Sequence, residues 1–300
     1  MTTVTSHVLD DPVTASLHGA HSRFRVGTGA VVRYSPPVAR FVGFPRRPTA
    51  AQWDALAALA EPGEELALRG LETTVPAGWR VRGSIGLVQF DGTGLAVGFG
   101  RSEVRAEAAT RASGPVGFGR SEVRAEAATR ASGPVGFGRS EVRAEAATRA
   151  SEPARDPGVV VLGPCDVPSI LDLVARTRPG PFTPRTIELG TYLGIHDGDR
   201  LVAVAGERLH PPGWTEISAV CTDPAYRGRG LATRLIRAVG AGIRDRGEVP
   251  FLHTAATNTR AIALYEHLGF TLRSRLDLTF VAPPATASVA PSVAGTGEVR

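Results

Sequence analysis

ISAVCTDPAYRGRGLA, residues 217–232, is the stretch on which the reading of this chain turns. It starts as an apolar, strand-like run, turns through Asp223, Pro224, Gly228 and Gly230, and enters an amphipathic run carrying Leu231, Leu235, Ile236 and Val239. That is strand, turn, helix. A glycine-containing turn that feeds a helix leaves several consecutive backbone N–H groups without intrahelical acceptors. With the positive end of the helix dipole, those donors form an anion site suited to a pyrophosphate. Gly228 and Gly230 let backbone and phosphate approach closely, and Arg227 and Arg229 add charge. The Gly-x-x-x-x-Gly-Lys-Ser/Thr pattern of a Walker loop is absent. Thr233 stands where a dinucleotide fingerprint needs its third glycine.

The flanks alternate strand and helix. Residues 159–162 read as a buried strand, followed by a helix that Asp166 caps and that faces inward with Ile170, Leu171 and Val174. Residues 192–196 and 201–209 read as strands joined by the turn Asp197-Gly198-Asp199, a hairpin signature. Residues 214–222 and 251–255 are further strands. Residues 258–268 form a helix closed by Gly269 at a left-handed cap position, and 270–280 form one long strand or a hairpin.

Further out, the patterns weaken. Residues 1–20 are polar and unpatterned and read as a flexible leader. Residues 21–95 read as a small α/β lobe, with a helix that Thr49 starts and that carries Trp53, Leu56 and Leu59 on one face. Residues 96–153 hold three tandem copies of the 19-residue unit VGFGRSEVRAEAATRASGP, the last with Glu152 in place of glycine. Each unit offers only Val and Ala for stacking, too little apolar face for a solenoid, so the array reads as a linker. A spacing or partner-binding element is the alternative. The Pro/Ala/Ser-rich tail 283–300 reads as disordered.

All 34 Lys+Arg residues are arginine, the net charge is +5, and 42% of residues are hydrophobic. Arginine and glutamate are interleaved rather than clustered, which argues against a nucleic-acid partner. Cys165 and Cys221 fit no metal or redox spacing. There is no run of about eighteen apolar residues and no signal-peptide pattern, so the expectation is a soluble, cytoplasmic protein without a membrane partner.

Two motifs together carry a resemblance. RGRGLA (227–232) matches the Arg/Gln-x-x-Gly-x-Gly/Ala signature of the GCN5-related N-acetyltransferase (GNAT) superfamily. NTRAIALYEHLGF (258–270) matches its second signature, in the right order and separated by a helix and a strand. Glu216 to Thr222, with Pro224, resembles the FR47-like group. The resemblance covers roughly residues 159–280. It implies an α/β fold with a mixed sheet, the GNAT acyl-CoA N-acyltransferase fold, spanning 154–282. The lobe at 21–95 would then be an additional, degenerate GNAT-like half.

The same resemblance implies a set of roles. Acetyl-CoA is the donor, without a metal. Its pantetheine arm pairs with the strand at 214–222 through Val220, Cys221 and Thr222. Its pyrophosphate takes N–H bonds from the turn of Arg227, Gly228, Arg229, Gly230, Leu231 and Ala232. Asn258 is a helix cap, a pantetheine contact, or both. Tyr265 is the general acid for the departing thiolate. Glu216 is the candidate base, its pKa raised by burial, with Ser218 as an acceptor anchor. Strict strand alternation places Cys221 opposite Glu216, Ser218 and Val220, as a small buried residue rather than a nucleophile. His253 and His267 read as structural or surface residues. Residues 177–186 and 210–214 are expected to line the acceptor side. The acceptor is a small-molecule amine or a peptide N-terminus. The alternatives are an inactive CoA-binding module or a scaffold organised by the repeat.

Overall fold

Strand β8 (Arg200–Glu207) is buried at all but its first residue. A continuous apolar run of that kind sits inside a sheet covered on both faces. In the computed structural model, which describes residues 7–97 and 158–284, β8 lies within an eight-stranded sheet. Its order is β4 (Leu66–Arg69), β11 (Thr271–Ala282), β5 (Arg80–Asp91), β10 (Val249–Ala255), β9 (Trp214–Thr222), β8, β7 (Tyr192–Asp197) and β6 (Val160–Leu162). The β9–β10 pair is parallel and every other pair antiparallel, so the sheet is mixed as expected.

Helix α4 (Leu231–Asp245) buries Leu231, Leu235, Ile236, Val239 and Ile243, a stripe at helical spacing, against one face of the sheet. Helix α5 (Thr259–His267) adds Tyr265 to the same cluster, beside Phe90 and Phe270. On the opposite face α3 (Val167–Thr177) packs Ile170 and Leu173 on Leu162, Tyr192 and Val204. Asp166 does not cap α3. Its carboxylate accepts the Gly163 N–H, and the helix closes on Arg178 at φ 50.

The N-terminal third departs from expectation in two ways. Residues within the expected flexible leader form helix α1 (Pro12–His18), capped by Asp11, and Leu9, Val13 and Leu17 are buried against Leu209 and Phe251. The polar letters around them hid an apolar face that only tertiary packing completes. The lobe at 21–95 is not a separate half. A small sheet of β1 (Arg25–Thr28), β2 (Val31–Tyr34) and β3 (Val42–Gly43), with helix α2 (Ala50–Leu59), packs over the end of β4 and β11. Strands β4 and β5 then enter the main sheet, and β5 sits between β10 and β11. The described residues, 7–97 and 158–284, thus belong to one compact unit. The repeats beyond Val97 and the tail from 285 lie outside the described residues.

Burial of Leu17 at 0% exposure sets a test of this packing. Leu17→Ala should lower the unfolding free energy by about 2–5 kcal/mol, read from urea denaturation. A free leader would leave the midpoint unmoved.

Candidate active site

Strands β9 and β10 pair only from Trp214–Val249 to Glu216–Phe251. β9 continues to Thr222 and β10 to Ala255, but there each bonds only its outer neighbour, β8 or β5. The sheet opens as a V whose facing backbone edges have no strand partner. An unpaired edge is a template for an extended ligand.

The open part of β9 carries a bulge. Between Ser218 and Cys221 the register to β8 slips, so that two residues of β9 oppose one of β8. Ala219 takes φ 53, a region that side chains with a Cβ avoid. The bulge also breaks strict alternation. Ile217 and Val220 both pack in the cluster under α4, whereas Ala219 and Cys221 pack with Leu173 and Tyr192 on the other face. Burial pushes the Cys221 thiol up to about 11, which leaves it protonated and a poor nucleophile.

At the mouth of the V lies the N-terminus of α4. Its cap is Gly230 at φ 73, and no side chain supplies a capping hydrogen bond. Gly228 has φ 77, and an added Cβ there would meet nothing within 4 Å. The left-handed backbone requires glycine, and the space before the turn is open to a ligand. Uncapped helix donors facing open space fit a pyrophosphate.

A cleft of about 1040 Å³ follows the V. Val220, Cys221, Thr222, Arg227, Gly228, Gly230, Leu231, Ala232, Asn258 and Tyr265 all line it. Asn258 caps α5, accepting the Ala261 N–H at 3.2 Å. Burial alone pushes the Tyr265 phenol up to about 12. The Arg229 side chain does not line the cleft. Its guanidinium lies 4.8 Å from the Tyr226 ring and donates to the Ala225 carbonyl. Residues 177–181 line the cleft, as expected of an acceptor loop, but 210–214 do not, and Trp214 packs instead on His7 and the α1 cluster. The N-terminal elements supply Phe41, Arg69, Ile85 and Leu87.

Where β9 and β10 part, Glu216 is 0% exposed and does not line the cleft. Arg208 grips it with two hydrogen bonds, of 2.7 and 2.8 Å, and His253 Nδ1 lies 2.6 Å from Oε1. Burial pushes the carboxyl up, but the Arg208 charge and the bonds from Arg208 and His253 outweigh it and hold the pKa far below the usual carboxylate range. The expected base with a raised pKa is therefore a fixed anion. The group that lines the cleft is His253. Its Nε2 lies 2.9 Å from Arg69 and 3.0 Å from the Gln89 amide nitrogen. Both partners are donors, so Nε2 accepts and Nδ1–H donates to Glu216. The Gln89 amide is itself oriented, its oxygen accepting from Arg273 and its nitrogen donating to the Leu9 carbonyl. Burial and the Arg69 charge push His253 down to about 4 against the pull of Glu216, so the imidazole is neutral near pH 7.

Three of these residues, Arg69, Gln89 and Arg208, carry no reading in the sequence, and His253 reads there as a structural or surface residue rather than as part of the site. Arg208 had a signal: in the β8–β9 hairpin Glu207 pairs with Ile217, which brings Arg208 alongside Glu216. Gln89 is the cross-strand partner of His253, and Arg69 reaches it from β4, 184 residues away in sequence. No local pattern announces either.

The family model described as FR47-like protein matches residues 192–278, the stretch from β7 into β11. Over 115 residues the chain is 36% identical to a mycothiol acetyltransferase of Thermomonospora curvata, covering 38% of this chain and 36% of that one. Over 84 residues it is 40% identical to the N-alpha-acetyltransferase RimI of Mycobacterium tuberculosis, covering 26% of this chain and 51% of that one. The match thus spans from about a third to half the length of these relatives. A solved GNAT-family structure from Novosphingobium aromaticivorans is 32% identical, with a TM-score of 0.68, over 93% of this chain and 99% of that one. The split strands, the glycine turn and near end-to-end similarity to that structure converge, and the chain belongs to the GNAT acetyltransferase superfamily, with an FR47-like match over residues 192–278.

Proposed function

We propose that this chain is an N-acetyltransferase that moves an acetyl group from acetyl-CoA to a primary amine by direct transfer in a ternary complex. The observation that carries the reading is the V between β9 and β10, which ends on an uncapped helix N-terminus. One relative is named for mycothiol and another for an N-alpha position, so the acceptor is read as a small-molecule amine or a peptide N-terminus.

Bound acetyl-CoA supplies an acyl thioester, which an amine attacks readily. The free edge of β9 around Val220 and Thr222 offers backbone groups to the pantetheine arm, and the turn from Arg227 to Ala232 offers N–H groups to the pyrophosphate. His253 replaces Glu216 as the group that takes the amine's proton, through Nε2, while Glu216 fixes the tautomer and stabilises the charge that develops on the ring. Glu216 is a positioning residue. Tyr265, at about 12, keeps its proton at any working pH. A thiol has a pKa of about 8.5, so full transfer from this phenol to the leaving thiolate is uphill. Hydrogen-bond donation to the departing sulfur is the role that fits.

Calorimetry on the full chain should show acetyl-CoA binding with a Kd in about the micromolar range. Gly228→Val should weaken it about tenfold or more, because valine strains a backbone at φ 77. Absence of binding by folded protein would sink this reading. Tyr265→Phe should lower kcat about a hundredfold while leaving the acetyl-CoA Kd unchanged, and equal loss in both would make the residue structural.

Protonation gives a further test. His21 and His253 are both pushed down to about 4, by burial first, from an ordinary value of 6.5. Between those values the unfolded chain binds protons that the fold refuses, so their stabilising effect is complete above about pH 6.5 and is lost as pH falls towards 4. Urea midpoints should drop across that window. Over the same range kcat should show no inflection near 6.5, since His253 stays neutral. An inflection there that vanishes in His253→Gln would refute the assigned protonation state.

A further inference from the structure

Arg69 is a partly buried cation that forms no ion pair among the described residues. Arg69 and Arg208 line the cleft beside His253, and Arg273 bonds the Gln89 amide next to them. Arg208 is paired with Glu216 and Arg273 with Asp10, at 2.7 Å each. Among the described residues no carboxylate lies within ion-pair distance of Arg69. Its Nη2 donates to His253 Nε2, its Nη1 reaches the Leu9 and Asp10 carbonyls only at 3.4 Å, and its Nε is buried with no partner among the described residues. Arg69 feels the charges of Glu216 and then of Asp11, but neither touches it: Glu216 is held by Arg208 and His253, and Asp11 accepts the Thr14 N–H at the start of α1. Desolvation is the leading effect on Arg69 and pulls its pKa down to about 10, yet the guanidinium remains charged at neutral pH. Isolated buried charges are costly and are normally paired. Arg69 nevertheless lines the cleft. The other charged side chains that the N-terminal elements bring there, Arg40 and Glu65, are exposed and opposite in sign, so they impose no net charge at the inner end.

Building on the acetyltransferase reading above, we propose that the acceptor is a small amine carrying a carboxylate close to its nitrogen, an amino acid, and that Arg69 is the group that selects it. The spacing supports this. Arg69 Nη2 and His253 Nε2 are 2.9 Å apart, which suits a carboxylate and an amine separated by one or two carbons. A guanidinium also presents the planar fork that a carboxylate fits with two hydrogen bonds. In the free protein Arg69 and Gln89 share the His253 lone pair. An arriving carboxylate draws the guanidinium onto itself, so that Gln89 is left as the single donor on Nε2 and the amine displaces one hydrogen bond rather than two. An amine lacking the acid leaves Arg69 unpaired and His253 still engaged, so it is rejected twice. A buried site built to bind one polar group discriminates strongly against an analogue without it.

The test follows free-thiol release from acetyl-CoA with a panel of free α-amino acids, their carboxamides, the matching decarboxylated amines and short peptides. The full chain is assayed as wild type, Arg69→Leu and Arg69→Lys. At least one free amino acid should exceed its carboxamide by about a hundredfold or more in kcat/KM, mostly through KM. Arg69→Leu should bring that amino acid down to the level of its carboxamide, and Arg69→Lys should recover part of the difference, with acetyl-CoA affinity unchanged in both. Carboxamides or peptide N-termini used as well as free acids by the wild type would overturn the inference while leaving the acetyltransferase reading standing. So would an Arg69→Lys enzyme that falls equally on acids and carboxamides. Failure of the wild type to bind acetyl-CoA would overturn both.

Discussion

The carboxylate of Glu216 carries a full negative charge at a point with no exposed surface. Removing such an ion from water costs several kcal/mol, and breaking a buried pair by removing one partner costs about 3–5 kcal/mol. Its partners therefore cannot drift. Arg208 follows β8, Glu216 lies on β9 and His253 on β10, so one anion ties three consecutive strands together at a single level. That level is also where β9 and β10 cease to pair. A gap between two strands is a weak point in a sheet. The Arg208–Glu216–His253 contacts pin it at its base, so the strands diverge from a fixed origin.

The second constraint is that His253 needs donors on its far side. A ring whose Nδ1–H is held by a carboxylate presents a lone pair at Nε2, and leaving that lone pair buried and empty would cost free energy. Gln89 and Arg69 fill it from β5 and β4. This is a physical reason for the N-terminal third to share the sheet rather than stand beside it. The same two strands link the site to α1, because Gln89 and Arg69 both donate to the Leu9 carbonyl. A stretch that reads as a polar leader thereby becomes part of the support beneath the site.

Where information is local, the sequence is legible. Strand β9, the glycine turn and α4 are contiguous, and their apolar spacing and left-handed glycines follow from rules that act over a few residues. Tyr265 and Asn258 sit on a short helix with a fixed phase, and both line the cleft. What the residues did not disclose needed a register or a distant partner. The side of β9 that Cys221 faces depends on the bulge at Ala219, which has no glycine to mark it. The protonation of Glu216 depends on Arg208, because burial alone and burial beside a guanidinium shift a carboxyl in opposite directions. Arg229 has the right composition for phosphate but a nearer partner in Tyr226. Arg69 and Gln89 could be placed only by a sheet that joins segments from the two sides of the repeats.

These environments also explain how the site could work without groups tuned near neutrality. The imidazole of His253 is pushed down to about 4 and the phenol of Tyr265 up to about 12, both chiefly by desolvation. Each is therefore locked in the form that the proposed amine acetylation requires, an unprotonated acceptor on one strand of the V and a protonated donor on the helix beyond it. Neither is strong in its role. That suits a reaction whose amine becomes far more acidic as the new C–N bond forms and whose leaving thiolate is already a weak base. Under these conditions placement outweighs basicity, because a neutral, correctly oriented lone pair gains more from being present at every turnover than from a higher pKa that would leave it protonated. Burial, which appears as a penalty for each group taken singly, sets both protonation states at once, and Glu216 remains ionised because Arg208, and after it His253, are bound to it.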